Sequence, residues 1–284
     1  MRVLWEVHFC VPQNFLSLTE NNQFRISQLR EAANVGSKHK TPFMKTKFLL
    51  LALLFFGNLY SQKCHEHIIE DGKIEAENLL HKFGSESFAS LWTKTENQSI
   101  YGVIGRDNQR LLIKIISVKK SRVNPKEYDI IGKSSVKGNV CDFKGKILIN
   151  GIAKVSGSQL GVDNEYQGKV KGQYLLTAEY IFHELPSQKN SGILTGKLET
   201  KFYIDQDNSI KYDDIGMSAD GYFNNGFTGT WKNYSNNKIS KCNWGDYRVP
   251  NSDCDFDIGA GEFSVSEKYQ INGWWIKPKL NWWK

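Results

Sequence analysis

The chain lacks the motifs that commit a sequence to a known chemistry. It has no P-loop, no nucleophile elbow, no His-Glu-x-x-His helix and no paired Cys-x-x-Cys. Phosphoryl transfer, serine-hydrolase, zinc-peptidase and dithiol chemistry therefore have no sequence support. Gly259-Ala260-Gly261 is too short for a dinucleotide fingerprint, and no helical pattern follows it. No apolar run reaches the roughly 20 residues that a membrane-spanning helix needs. Nor is there a clustered basic face, because the lysines are scattered among acids, and this argues against a nucleic-acid partner.

One apolar run is nonetheless distinctive. Met44-Lys45-Thr46-Lys47 leads into Phe48–Phe56, which Gly57 and Asn58 break before Leu59-Tyr60-Ser61. Charged start, short apolar middle and small residue at the cut are the layout of a secretory signal. The expected organisation is a signal peptide at 44–61, preceded by a mis-assigned or non-native extension at 1–43. An N-terminal segment with a short helix follows at 62–98, then a β-rich domain at 99–284. The expected location is secreted or periplasmic, with no membrane span once the signal is removed.

That division changes the charge. The chain carries 37 Lys+Arg and 30 Asp+Glu, net +7; seven of the bases and three of the acids precede Gln62, which leaves a net of about +3. Of five cysteines, Cys10 falls in the removed part. Cys64, Cys141, Cys242 and Cys254 remain as disulfide candidates for an oxidising compartment, with three pairings open. Cys242–Cys254 with Cys64–Cys141 is the pairing favoured here, since the first closes a short loop.

Ala76, Leu79, Leu80 and Phe83 recur at helical spacing, with Asp71 as N-cap and Gly84 as stop. After Trp92 the period drops to two. Strands are expected at Ser99–Gly105, around Leu111–Ile115, at Tyr128–Val136 and along Cys141–Ile149. Others are expected at Tyr174–Phe182, Leu198–Ile204, Ile210–Met217 and Phe227–Trp231, with turn residues between them. The fold class is mainly β: a single antiparallel barrel or sandwich, built as a meander, with one short N-terminal helix. Gly145, Gly196 and Gly229 share an apolar-polar-Gly pattern, the mark of bends or close backbone approach inside strands.

The Phe227-Thr228-Gly229-Thr230-Trp231 strand, the other Gly-bearing strands and the signal together resemble exported bacterial β-proteins with lipocalin-like barrels. Lys241–Arg248, KCNWGDYR, is similar to a segment of secreted β-proteins of unassigned function. The resemblance implies a barrel. Gly229-Thr230-Trp231 lies late in the chain, whereas the lipocalin Gly-x-Trp lies near the N-terminus, so no site residue is carried over.

Two groups of residues could carry function. Trp274, Trp275, Trp282 and Trp283 fall in the last eleven residues and could stack on sugar rings, cover an apolar ligand or close the core. Asp246, Asp253, Asp255, Asp257 and Glu262 form an acidic group around Arg248 that would suit calcium or a hydrolase if two carboxylates faced one cleft. Cys64-His65-Glu66-His67 is read as a solvated tail rather than a metal site, His183 as solvent-facing, and Asp205–Ser209 as a hairpin turn. The expectation is a noncatalytic secreted or envelope β-domain that binds a small apolar molecule or glycan, without a cofactor. A secreted hydrolase using the acidic group and a purely structural envelope protein are the alternatives.

Overall fold

The computed structural model describes residues 63–69, 73–157 and 159–284. The expected signal, the extension before it and the Asp71 cap lie outside these residues. Among the described residues no helix is long and apolar enough to cross a membrane.

Among the described residues the chain forms eleven strands, in order β1 Lys63–Cys64, β2 Ile100–Ile104, β3 Gln109–Lys120, β4 Glu127–Val136, β5 Asn139–Lys154, β6 Val170–Glu184, β7 Gly192–Asp205, β8 Ile210–Tyr212, β9 Asn224–Asn233, β10 Ile239–Asp246 and β11 Ser252–Asp253. β2 through β7 pair in succession, β7 pairs with β9, β9 with β10, and β10 returns to β2. The result is one antiparallel sheet closed into a ring of neighbours in sequence. β8 is added to β7 beyond the stretch that β9 occupies, and β1 and β11 form a separate two-stranded pair.

Alternation produces this ring. Leu111, Ile113 and Ile115 on β3, Phe143, Ile147 and Ile149 on β5, and Leu176, Ala178, Tyr180 and Phe182 on β6 all join one core. The intervening Lys114, Lys144 and Lys146 face outward. Lys137 and Gly138, between β4 and β5, both have positive φ (51° and 80°), the two-residue turn whose twist matches a hairpin. Asp205 Oδ1 accepts from the Asp207 and Ser209 N–H groups, which makes the Asp205–Ser209 loop a hairpin turn.

The repeated glycines mark contact between strands. Gly196 and Gly229 stand opposite each other in the β7–β9 register, and a Cβ on either would run into the carbonyl oxygen of Thr228 or Thr195. Gly145 is closed off in the same way by the Ile181 carbonyl.

The helical pattern before β2 is realised as a single 3-10 turn at Leu80–Phe83, followed by others at Ala89–Trp92 and Asn97–Ser99. Tertiary contact outweighs local propensity here: the Leu79 N–H donates to the Ile152 carbonyl on β5, outside any helix. Phe83, Phe88, Leu91 and Trp92 pack into the core at the end of the ring where β4 and β6 begin. The Trp92 indole donates to Thr200 Oγ1 at 3.1 Å, and Asn225 Nδ2 donates to the Leu91 carbonyl at 2.8 Å.

Two expectations about the chain are corrected. Residues 239–246, where no strand is expected from the sequence, form β10, the strand that closes the ring. Ile210–Met217 contains only the three-residue β8. The disulfide pairing follows from the first correction. Cys242 lies inside the ring, fully buried among core aromatics, and cannot reach Cys254; Cys64 is bonded to Cys254 instead, joining β1 to the segment after β11. Cys141 and Cys242 are free buried thiols, with Cys141 pushed up to about 11 and Cys242 also raised, both chiefly by burial.

Candidate functional site

The residues after β10 fold back over the outside of β2 and β3. β2 is apolar on both faces: Ile100 and Ile104 join the ring core, while Tyr101 and Val103 join a second core outside it with Val249, Phe256, Phe263, Tyr269 and Trp274. Tyr101 stacks on Phe263 with centroids 4.1 Å apart, and Trp274 packs against Phe256 at 5.2 Å and Phe263 at 5.4 Å. Each such aromatic contributes roughly 1.5–3 kcal/mol by burial.

Buried polar groups hold this cover in place. The Arg248 side chain pairs with Asp257 at 2.5 Å and donates to the Gly259, Ala260 and Gly261 carbonyls, so the acids and glycines of 257–261 wrap one guanidinium. Trp274 Nε1 donates to the Asn108 carbonyl at 2.8 Å, and Arg110 lies over the Trp274 ring at 5.0 Å. The same guanidinium donates to the Ile276 carbonyl at 2.8 Å, and Gln109 donates to the Asn272 carbonyl at 2.7 Å.

Between this cover and the outer face of β2–β3 lies a groove of about 790 Å³. Its walls include Tyr101, Arg110, Phe263, Trp274, Trp282 and Trp283, and its rim carries Asn97, Gln98 and Gln270. The four tryptophans separate into three roles. Trp274 is 8% exposed and anchors the second core, while Trp275 is 78% exposed and is not on the wall. Trp282 and Trp283 are half-buried on the wall, edge to face at 5.8 Å, with the Lys114 ammonium 5.0 Å from the Trp283 ring centre. Trp282 Nε1 is buried and has no hydrogen-bond partner. A buried N–H without an acceptor is uncommon and costs about 1–3 kcal/mol.

The acidic group is spread over different partners. Asp246 lies inside the ring and accepts from Asn225 Nδ2 at 2.6 Å, Thr95 Oγ1 at 2.7 Å and Tyr212 OH at 2.9 Å. Burial pushes its carboxyl up to about 6 against those three donors. The void beside it holds only about 20 Å³, room for a water and not a substrate. Asp257 is taken by Arg248, Asp253 accepts from Asn108 at 3.3 Å, and Asp255 forms an exposed pair with Lys268 at 2.7 Å. Glu262 is exposed. Among the described residues no group of three or more His, Cys, Asp or Glu side chains is placed to hold a metal. His183 is exposed.

Sequence reasoning missed the partners of the tryptophans. Tyr101 and Arg110 are distant in the chain, and only the closure of the ring brings them under 263–283. It also missed Glu184, which continues the inward series Tyr180-Phe182 and is buried at the end of the ring opposite Trp92. Its carboxylate accepts from Ser134 Oγ, the Gly192 N–H at 2.7 Å and Trp231 Nε1 at 3.0 Å, and burial raises its pKa against those donors. The in-phase position was the available signal.

No protein-family model, curated protein or solved structure matches this chain.

Proposed function

We propose that this is an exported, noncatalytic domain on a lipocalin-like barrel that binds a saccharide in the groove between β2–β3 and the C-terminal aromatic segment. The observation that carries the reading is the mixed lining of the groove, which sets the half-buried Trp282 and Trp283 rings beside the amide side chains of Asn97, Gln98 and Gln270. An apolar ligand would leave those amides unmet, whereas sugar hydroxyls exchange hydrogen bonds with them. The Trp282 and Trp283 rings offer aromatic surface to the C–H face of a pyranose, and Asn97, Gln98 and Gln270 supply amides to its hydroxyls. The closed succession of antiparallel strands supports the barrel. It differs from a lipocalin in where the ligand goes: the ring interior is filled by aromatics, and the groove lies outside it. The aromatic cluster at 274–283, read in the sequence as either core or ligand surface, serves as both.

A panel of soluble oligosaccharides titrated by calorimetry tests this. A binder is expected whose affinity falls about tenfold in Trp283→Ala, the loss of roughly one stacking contact. Trp275→Ala, off the wall, leaves it unchanged. Equal loss in both variants, or no saccharide bound while a hydrocarbon-chain ligand is retained, overturns the reading.

A further inference from the structure

A second cavity, of about 290 Å³, lies on the outer side of β6 and β7 and is lined by Gln173, Lys201, Asp213, Tyr222, Phe223 and His67, among others. Lys201 alternates with the inward Thr200 and Phe202 and so points away from the ring core, but the segment 213–223 folds over it. Its peptide group is clamped by one side chain: Asn224 Oδ1 accepts from the Lys201 N–H at 2.8 Å, and Asn224 Nδ2 donates to the Lys201 carbonyl at 3.0 Å. The ammonium lies 4.3 Å from the centre of the Tyr222 ring. Among the described residues no acceptor hydrogen-bonds to Lys201 Nζ, and no ion pair joins it to Asp213. Asp213 is committed elsewhere: Gln173 Nε2 donates to it at 2.8 Å and the Ile215 N–H at 3.2 Å, and it is 4% exposed.

Lys201 is half-buried on the cavity wall, and no salt bridge holds its amine in the charged form. We propose that Lys201 condenses reversibly with the carbonyl group of a small aldehyde or ketone held in this cavity. The Nζ lone pair attacks the carbonyl carbon; the C–N bond forms and the C=O π pair goes to oxygen, which takes a proton to give a carbinolamine. Loss of the remaining transferable Nζ proton and cleavage of the C–O bond release water and leave the imine. No oxidant or reductant is consumed. Asp213, on the same cavity wall, exchanges the protons.

The environment suits these roles. Burial is the main influence on both groups, lowering Lys201 and raising Asp213, and their mutual attraction only partly opposes it. Both are moved toward the neutral amine and neutral acid that imine formation uses.

The test is reductive trapping. The whole chain is incubated with glycolaldehyde or pyruvate and cyanoborohydride, and the lysines are mapped by peptide mass spectrometry. Lys201 is expected to be trapped at least about tenfold faster than the exposed Lys211. Asp213→Asn is expected to slow trapping at Lys201 several-fold and to leave Lys211 unchanged. Trapping of Lys201 no faster than Lys211 overturns the proposal, and this comparison within one molecule holds whether or not the variant folds. Selective trapping that is unchanged in a folded Asp213→Asn protein removes Asp213 from the mechanism and overturns that part.

Discussion

Replacing Asp246 by Asn separates a structural carboxylate from a catalytic one. Asp246 is buried inside the ring, and burial pushes its carboxyl up to about 6 from an ordinary 3.8. The folded protein therefore binds the proton more tightly than the unfolded chain does. Asp246 favours the native state most when the pH is below about 4, and that advantage is lost as pH rises through about 6. The full span is about 3 kcal/mol, because each pH unit between the unfolded and folded values is worth roughly 1.4 kcal/mol. Between pH 4.5 and 7.5 about 2 kcal/mol of it is lost. Asn cannot ionise, and its carbonyl can take the place of the Oδ2 atom that accepts from Thr95, Tyr212 and Asn225. Urea denaturation of both proteins at pH 4.5 and 7.5 gives the double difference, in which other buried groups such as Glu184 cancel. The native protein should lose about 2 kcal/mol more than Asp246→Asn over this interval. An equal change in both proteins, or a native protein that gains relative to the variant as pH rises, would refute the reasoning.

Reducing Cys64–Cys254, which spans 190 residues, or replacing both cysteines by serine, should lower stability by about 2–5 kcal/mol. Chemical denaturation with and without reductant checks this. Cys141 and Cys242 should resist iodoacetamide at pH 8 in the folded protein and react fully in guanidinium, as read by peptide mapping; rapid labelling of native Cys242 would contradict its place in the core. Arg248→Ala should cost about 3–5 kcal/mol by leaving the Asp257 carboxylate buried without its guanidinium. Hydrogen exchange should then rise first in 257–265, and a rise confined to the ring strands would contradict the assigned role.

The strands β3, β5, β6 and β7 are readable from alternation because each buries one face and wets the other, so one period carries the whole signal. β10 hides for a local reason. Trp244 and Cys242 alternate with Lys241 and Asn243, but the glycine at 245 and the register shift between Trp244 and Asp246 make the segment look like a loop. Missing it is also what misplaced the disulfide, since a cysteine pairs according to the face it occupies and not its distance along the chain. Of the Ala76–Phe83 pattern, Leu79, Leu80 and Phe83 are spent on capping the end of the ring rather than on a helix, and Ala76 is exposed. Arg248 and Lys201 have no local signature at all, and Glu184 has only its in-phase position on β6. A buried charge depends on partners or a cavity wall brought from elsewhere in the chain, and these exist only once the ring has closed.

The central claim, a saccharide groove, is tested most directly at the indole N–H of Trp282. In a proton–nitrogen correlation spectrum its resonance should be assignable by its loss in Trp282→Phe. Titration with the best saccharide from the panel should shift that resonance and the Trp283 indole resonance, as the sugar changes the surroundings of both wall rings, and leave Trp275 unmoved. Saccharide binding that leaves the Trp282 indole unmoved, or that shifts Trp275 instead, would contradict it.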